Sequence, residues 1–366
     1  MLKALSLNWM VILFAGGLFL ASCDIIHEDN PPELPQGPIL IGQQVPENFP
    51  SPVIMENNPI SEEGVLLGKT LFYDPYLSLD GSVSCSSCHD QKKAFSDGAS
   101  LGNFGVSGRP LVRHSPTLIN MAWMGNGFFW DGGSKNLESQ AFGPLTHADE
   151  MGMTLDGLED RLAGDAGYTE LFYKAFEDGV TFQNVAKALA QFERTLISSN
   201  SKYDKYIRKE RGSSLTNLEL NGLTLVKKHC ASCHKGELFT DNDFHNNGID
   251  EKFEDQSHEL SYFGRYRITF QSEDMGAYKT PTLRNVMVSA PYMHDGRFSS
   301  IETVLKHYVE GVKDVTTTSR LLYQNDGMAG IPLSEQDIKS ITAFLHTLTD
   351  SEFLNNPAHS LSLPEE

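Results

Sequence analysis

Two pentapeptides carry the most legible chemistry in this chain: Cys85-Ser86-Ser87-Cys88-His89 and Cys230-Ala231-Ser232-Cys233-His234. Cys-x-x-Cys-His is the attachment signal of a c-type haem. Thiols at i and i+3 share one face of a helical turn. They can form thioethers with the two vinyl groups on one haem edge, and the next residue, His, reaches the iron. The competing chemistries are two disulfides, or one zinc site with all-cysteine ligation. Neither needs a His closing each copy. Two covalent haem c groups are therefore expected, with His89 and His234 as iron ligands.

Each motif needs an element to present it. A helix is expected over residues 61–72, opened by a Ser cap and Glu62-Glu63 in its first turn. The same arrangement recurs over 216–228, where Thr216 and Glu219 have capping-box spacing. Helix, short link and Cys-x-x-Cys-His therefore form a weak internal repeat, as duplication of a haem domain would produce. Between the motifs, 155–163, 168–176 and 182–197 show helical apolar spacing. In the last of these, Val185, Leu189, Phe192 and Leu196 make a stripe most simply read as core. A final helix begins at the Ser334/Asp337 capping box and buries Ile338, Ile341, Phe344, Leu345 and Leu348. No stretch alternates like a strand. The fold class is mostly α: two cytochrome-c-like haem domains with long loops, over 61–212 and 213–366.

The N-terminus sets the compartment. Residues 1–22 hold one early charge, Lys3, and an apolar run from Trp9 to Leu20, which together read as a signal peptide. It ends Leu20-Ala21-Ser22-Cys23, which resembles the bacterial lipobox, so a lipid on Cys23 is the expected membrane contact. Ordinary cleavage leaving an unpaired thiol is the alternative. Residues 23–60 are Pro-rich and read as anchor plus flexible tether. The 366 residues carry 48 Asp and Glu against 29 Lys and Arg, a formal charge of −19. Such a surface repels nucleic acid and anionic lipid and suits a basic electron carrier. An exported, cell-envelope lipoprotein follows.

Around and between the motifs lie Phe95-Ser96-Asp97-Gly98, Arg113-His114-Ser115-Pro116-Thr117-Leu118, Phe129-Trp130-Asp131-Gly132 and Leu137-Glu138-Ser139-Gln140-Ala141. Later come Gly236-Glu237-Leu238-Phe239-Thr240-Asp241, Thr280-Pro281-Thr282-Leu283-Arg284-Asn285 and Ala290-Pro291-Tyr292-Met293-His294-Asp295-Gly296. From Ser61 to Thr349 these segments resemble the bacterial dihaem cytochrome c peroxidases. The resemblance implies reduction of hydrogen peroxide to water, with electrons entering at the second haem from a small donor protein such as a cytochrome c. It makes His89 the proximal ligand of the peroxidatic haem. Glu150, ten residues after Gln140, becomes the group that moves a proton from the near peroxide oxygen to the far one. A carboxyl over a haem is desolvated, which favours the protonated form a shuttle requires. A solvated loop acid is the bland alternative. Trp130 matches the tryptophan between the two haems, able to pack and to relay electrons. His234 holds the electron-accepting haem, and His294 lies near it, as a structural hydrogen-bonding group or more.

This chain also departs from that pattern. Many relatives carry a removable distal His in the loop between Asp97 and Arg113, where Val106 aligns here and no His occurs. A five-coordinate first haem, ready without reductive activation, is expected. The family's inter-haem calcium uses an Asn aligned with His114, plus backbone carbonyls aligned with Ser289 and Pro291. Imidazole is a poor ligand for a hard cation, so calcium requires Asn103 or Asn120 to substitute. The distal Met of the second haem aligns with Tyr308, fourteen residues beyond His294. His307 is a rival ligand, although adjacent helical residues point about 100° apart, and a core tyrosine is the bland reading. Tyr at this position resembles the related dihaem enzyme that matures a tryptophan-derived quinone cofactor in a partner protein. Partner oxidation is therefore the alternative function, and a non-catalytic dihaem electron carrier is the alternative of another class. A homodimer is compatible with either.

Overall fold

The computed structural model of the chain describes residues 37–98, 103–253 and 261–361. The expected signal peptide, Cys23 and the start of the tether lie outside the described residues. The helices are α1 (Glu62–Tyr73), α2 (Cys85–Cys88), α3 (Leu137–Thr146), α4 (Leu155–Ala163), α5 (Ala166–Ala175), α6 (Phe182–Arg194), α7 (Lys202–Ile207) and α8 (Asn217–His229). After them come α9 (Tyr266–Thr269), α10 (Ile301–Lys306), α11 (Glu335–His346) and α12 (Ser351–Leu354). Among the described residues, strand is confined to β1 (Phe244–His245) and β2 (Tyr278–Lys279), antiparallel with Phe244 opposite Lys279. The chain is mostly helical, as its periodicity implies. Among the described residues no helix is long and apolar enough to cross a membrane.

Helix starts follow the capping chemistry. The Ser61 hydroxyl accepts from the Gly64 N–H, and Thr216/Glu219 and Ser334/Asp337 form reciprocal boxes. Unexpected from sequence is α3, because Gly143 and Pro144 break its pattern. Asn136 caps it through the Ser139 N–H, and Pro144 falls in its last turns, where it removes one i→i−4 bond, that to the Gln140 carbonyl.

The long helix before each motif crosses a later helix at a glycine. Gly68 of α1 lies against Ala188 of α6, and Gly222 of α8 against Ser340 of α11. A Cβ at either position would fall 1.9 Å from the facing carbonyl oxygen. The helices approach too closely for any side chain there, and the two halves use the same device.

Two large buried apolar clusters result, beside a smaller one of Phe49, Ala122, Trp123 and Leu238. The first gathers Leu67, Leu71, Phe72, Leu189 and Phe192; the second gathers Leu223, Val226, Ile341 and Phe344. The chain passes between them more than once. Tyr203 on α7 belongs to the second cluster, while Phe353 and Leu354 on α12 return to the first.

The reading of 23–60 as free tether needs correction over its second part. Residues 37–60 run along the body as a strap. Ile41 donates to the Ile60 carbonyl at 2.9 Å, and the Trp123 indole donates to the Pro50 carbonyl at 2.7 Å. Phe49 packs edge-on against Trp123 at 5.1 Å and lies under the Arg284 guanidinium at 4.5 Å. Arg284 is itself locked in a fully buried pair with Asp204 at 2.8 Å. Proline content alone does not separate an exposed tether from an extended strap pinned by backbone hydrogen bonds and by the buried Phe49 and Ile60.

Candidate active site

α2 places Cys85 and Cys88 on one turn, and the chain then loops so that the Phe95 carbonyl meets His89 Nδ1 at 2.7 Å. The second motif does the same, with Phe239 O and His234 Nδ1 at 3.1 Å. Both phenylalanines sit in the left-handed region, at φ 58° and 50°, which non-glycine residues adopt only under constraint. With Nδ1 committed to a carbonyl, Nε2 of each imidazole is the nitrogen left for a metal. Burial lowers the proton affinity of both rings, against the carbonyl's opposite pull, and so favours the neutral ligand form.

Each motif opens on its own cavity. The first holds about 700 Å³ and is lined by Cys85, Cys88, His89, Gln140, Glu150 and Glu193, with apolar walls including Phe72, Leu118, Leu145 and Leu189. The second holds about 1500 Å³ and is lined by Cys230, Cys233, His234, Trp130, His294 and Tyr308, again among apolar residues. Paired thiols, an oriented imidazole and an apolar cradle fit a haem in each.

Glu150 is positioned by the turn that follows α3. The His147 carbonyl accepts from the Glu150 and Gly152 N–H groups, both at 3.0 Å, which folds the chain back over the cavity holding Gln140. Val106, where relatives carry the removable His, donates its N–H to the Glu150 carbonyl at 2.8 Å. Phe104, Gly105 and Leu111 of the same loop line the cavity, and Arg109 pairs with Asp149 at 2.5 Å.

The wall between the cavities is a single extended segment. His114, Pro116 and Thr117 line the second cavity; Ser115 and Leu118 line the first. The Trp130 indole donates to the His114 carbonyl at 2.7 Å, and the His114 N–H donates to the His294 carbonyl at 2.9 Å. The His114 ring contacts Asp97 at 2.5 Å and Ser96 Oγ at 3.2 Å. Hydrogen bonds thus link Trp130 to the His114 backbone and the His114 ring to Ser96, the covalent neighbour of Phe95, whose carbonyl holds His89. Trp130 lines the second cavity and not the first.

The side chains considered for calcium are committed elsewhere. Asn120 exchanges two hydrogen bonds with the Ser198 backbone, Asn103 donates to Asp97 at 2.9 Å, and Asp97 also accepts from the Ser115 N–H at 2.9 Å. With His114 at the remaining position, these residues do not form an oxygen cage for a hard cation.

At the second cavity, α10 widens into a π-turn over His307–Gly311. Tyr308 lines the cavity, while His307 is buried away from it with Nε2 3.1 Å from the Asn247 carbonyl. Burial pushes the Tyr308 phenol up to about 12, so it ionises only beside a strong Lewis acid. The His294 ring stacks on Tyr278 at 3.7 Å, and burial pulls it down to about 3.

Sequence reasoning missed Glu193 on α6, a buried acid in the first cavity. Its spacing of four from Leu189, on the stripe assigned to the core, was the available signal.

A family model for di-haem cytochrome c peroxidase matches residues 62–212. The methylamine utilization protein MauG of Methylorubrum extorquens is 37% identical over 308 residues, covering 83% of this chain and 82% of that protein. The cytochrome c551 peroxidase of Nitrosomonas europaea is 32% identical over 309 residues, covering 83% and 85%. Among solved structures, a MauG-like protein associated with microbial copper homeostasis superposes with a TM-score of 0.77 at 32% identity, over 86% of this chain and 97% of that one. The chain belongs to the di-haem cytochrome c peroxidase family. It is an oxidoreductase built for two haem cofactors.

Proposed function

We propose that this enzyme reduces hydrogen peroxide to two waters, taking two electrons from an external donor protein and two protons. The observation that carries the reading is the first cavity, where Cys85, Cys88, His89, Gln140 and Glu150 converge. Cys85 and Cys88 would bind one haem covalently and Cys230 and Cys233 the other, with His89 and His234 on the irons. When bound, the first haem would supply the redox-active iron for this reaction. Glu150 takes the proton from the near oxygen and returns it to the far one, so that the leaving group departs as water rather than hydroxide. Gln140 orients the peroxide by hydrogen bonding. Trp130, on the second cavity and bonded to the His114 carbonyl of the segment between the two cavities, lies on the electron path. The haem domains would correspond to 61–212 and 213–366, in an envelope lipoprotein anchored at Cys23. Steady-state peroxide consumption by the haem-loaded protein, with several basic cytochromes compared against no donor, tests this. Consumption no faster with any donor than without would overturn it.

Tyr308 favours a second reading. A phenolate is a hard anionic ligand that suits ferric iron, so a second haem held by His234 and Tyr308 would accept electrons poorly from a high-potential donor. Oxidation of residues on a partner protein, through Trp130, then becomes the output.

A further inference from the structure

Glu193 is only 6% exposed, yet its Oε2 has no hydrogen-bond partner among the described residues. It lines the first cavity beside Cys85, with His89, Gln140 and Glu150 on the same walls. Its neighbours do not satisfy it. Arg194 is turned to Glu138, paired at 2.8 Å, and Glu138 also accepts from Asn58 at 2.6 Å. A buried polar atom left unpaired costs about 1–3 kcal/mol, and an ionised carboxylate costs far more. An apolar residue would fill the same helical position at lower cost. The acid is therefore retained against its local energetics, at the edge of a cavity built for a redox group.

We propose that Glu193 is a redox-linked proton site of the first haem. When that haem loses an electron, its site gains positive charge. Ionisation of the nearby carboxyl then becomes easier, and one proton leaves Glu193. When the electron returns, the proton is taken up again. The exchange balances, one proton for one electron, and keeps the net charge of the buried site constant. It also deals with a demand of the proposed reaction, in which the site must hold oxidising equivalents in a medium of low dielectric. Burial is the main force on the carboxyl, opposed by Arg194 and reinforced by Glu138, and it pushes Glu193 up to about 8. The remaining titratable groups on this cavity are Cys85 and Cys88, which the thioethers remove, His89, and Glu150.

This inference rests on a haem occupying the first cavity. The test is a spectroelectrochemical titration of the first haem between pH 6 and 10 in the haem-loaded full chain, with Glu193→Gln and Glu150→Gln in parallel. In the unmodified protein and in Glu150→Gln the midpoint should fall as pH rises through the region near 8. In Glu193→Gln it should be flat there. Equal slopes with and without Glu193 overturn the proposal. Should Glu193→Gln fail to load haem, proton release decides: one-electron oxidation of the unmodified protein in weakly buffered dye at pH 7 should release close to one proton, and none overturns it. A chain found to carry only one haem, at the second motif, defeats the underlying reading instead, and the haem count tells the two failures apart.

Discussion

The Phe353 ring from α12 packs edge-on against Phe95 at 6.0 Å, and the carbonyl of Phe95 is the group that orients His89. The last α-helix among the described residues therefore supports the first motif. Gln91 donates to the Phe353 and Asn356 carbonyls at 3.2 and 2.9 Å, and the Tyr73 hydroxyl to the His359 carbonyl at 2.6 Å. The tail clasps the loop on the proximal side of the proposed first haem. Phe353→Ala should cost about 3–5 kcal/mol, lower Tm by several degrees, and broaden the first haem's electron paramagnetic resonance signal while sparing the second's. An unchanged first-haem signal in a chain ending at Thr349 would show the tail to be incidental.

What the sequence makes legible and what it hides follow from locality. The capped helices α1, α8 and α11, and the two motifs, are local patterns of side chain on backbone and are readable directly. The clasp is not, since nothing near Gln91 indicates that residues some 260 positions later complete its hydrogen bonds. The strap over 37–60 is hidden for the same reason: Phe49 finds Trp123 and Arg284 only in three dimensions. Glu150 was legible through resemblance rather than pattern, because a loop acid looks alike whether it meets water or a cavity. Glu193 hid on a stripe whose other members are core.

Replacing Glu150 with Gln keeps its size and hydrogen bonding and removes the titratable proton. General acid–base groups contribute about 10²–10⁴-fold, and peroxide turnover should fall by that order with both haems retained. Turnover within a factor of a few of the parent would make Glu150 an ordinary loop acid.

Calcium should be dispensable. With His114 facing Asp97, and Asn120 committed to the Ser198 backbone, a chelator such as EGTA should leave both haem spectra and peroxide turnover unchanged. Isothermal titration of the chelated protein should show no site tighter than millimolar. A stoichiometric micromolar site, with activity lost on chelation, would refute this.

Two haems held through four thioethers should resist acidic organic solvent, and intact mass with a denatured pyridine-haem spectrum should give two additions per chain. A single addition would remove one of the two proposed sites.

The second haem's sixth ligand separates the two functional readings. Tyr308 lines the second cavity and His307 does not, its imidazole spent on the Asn247 carbonyl. The π-turn over His307–Gly311 adds a residue to the local turn, a distortion often found at functional sites. Burial holds the phenol protonated, up to about 12, and a bound cation inverts that preference. The ferric protein should therefore lack the charge-transfer band of Met ligation near the red edge of the visible spectrum. Tyr308→Phe should change the six-coordinate ferric resonance, His307→Ala should not, and Tyr308→Met should raise the second haem's potential and its rate of reduction by a high-potential cytochrome. A resonance unaltered in Tyr308→Phe would return the tyrosine to core packing, and with it the case for oxidation of a partner.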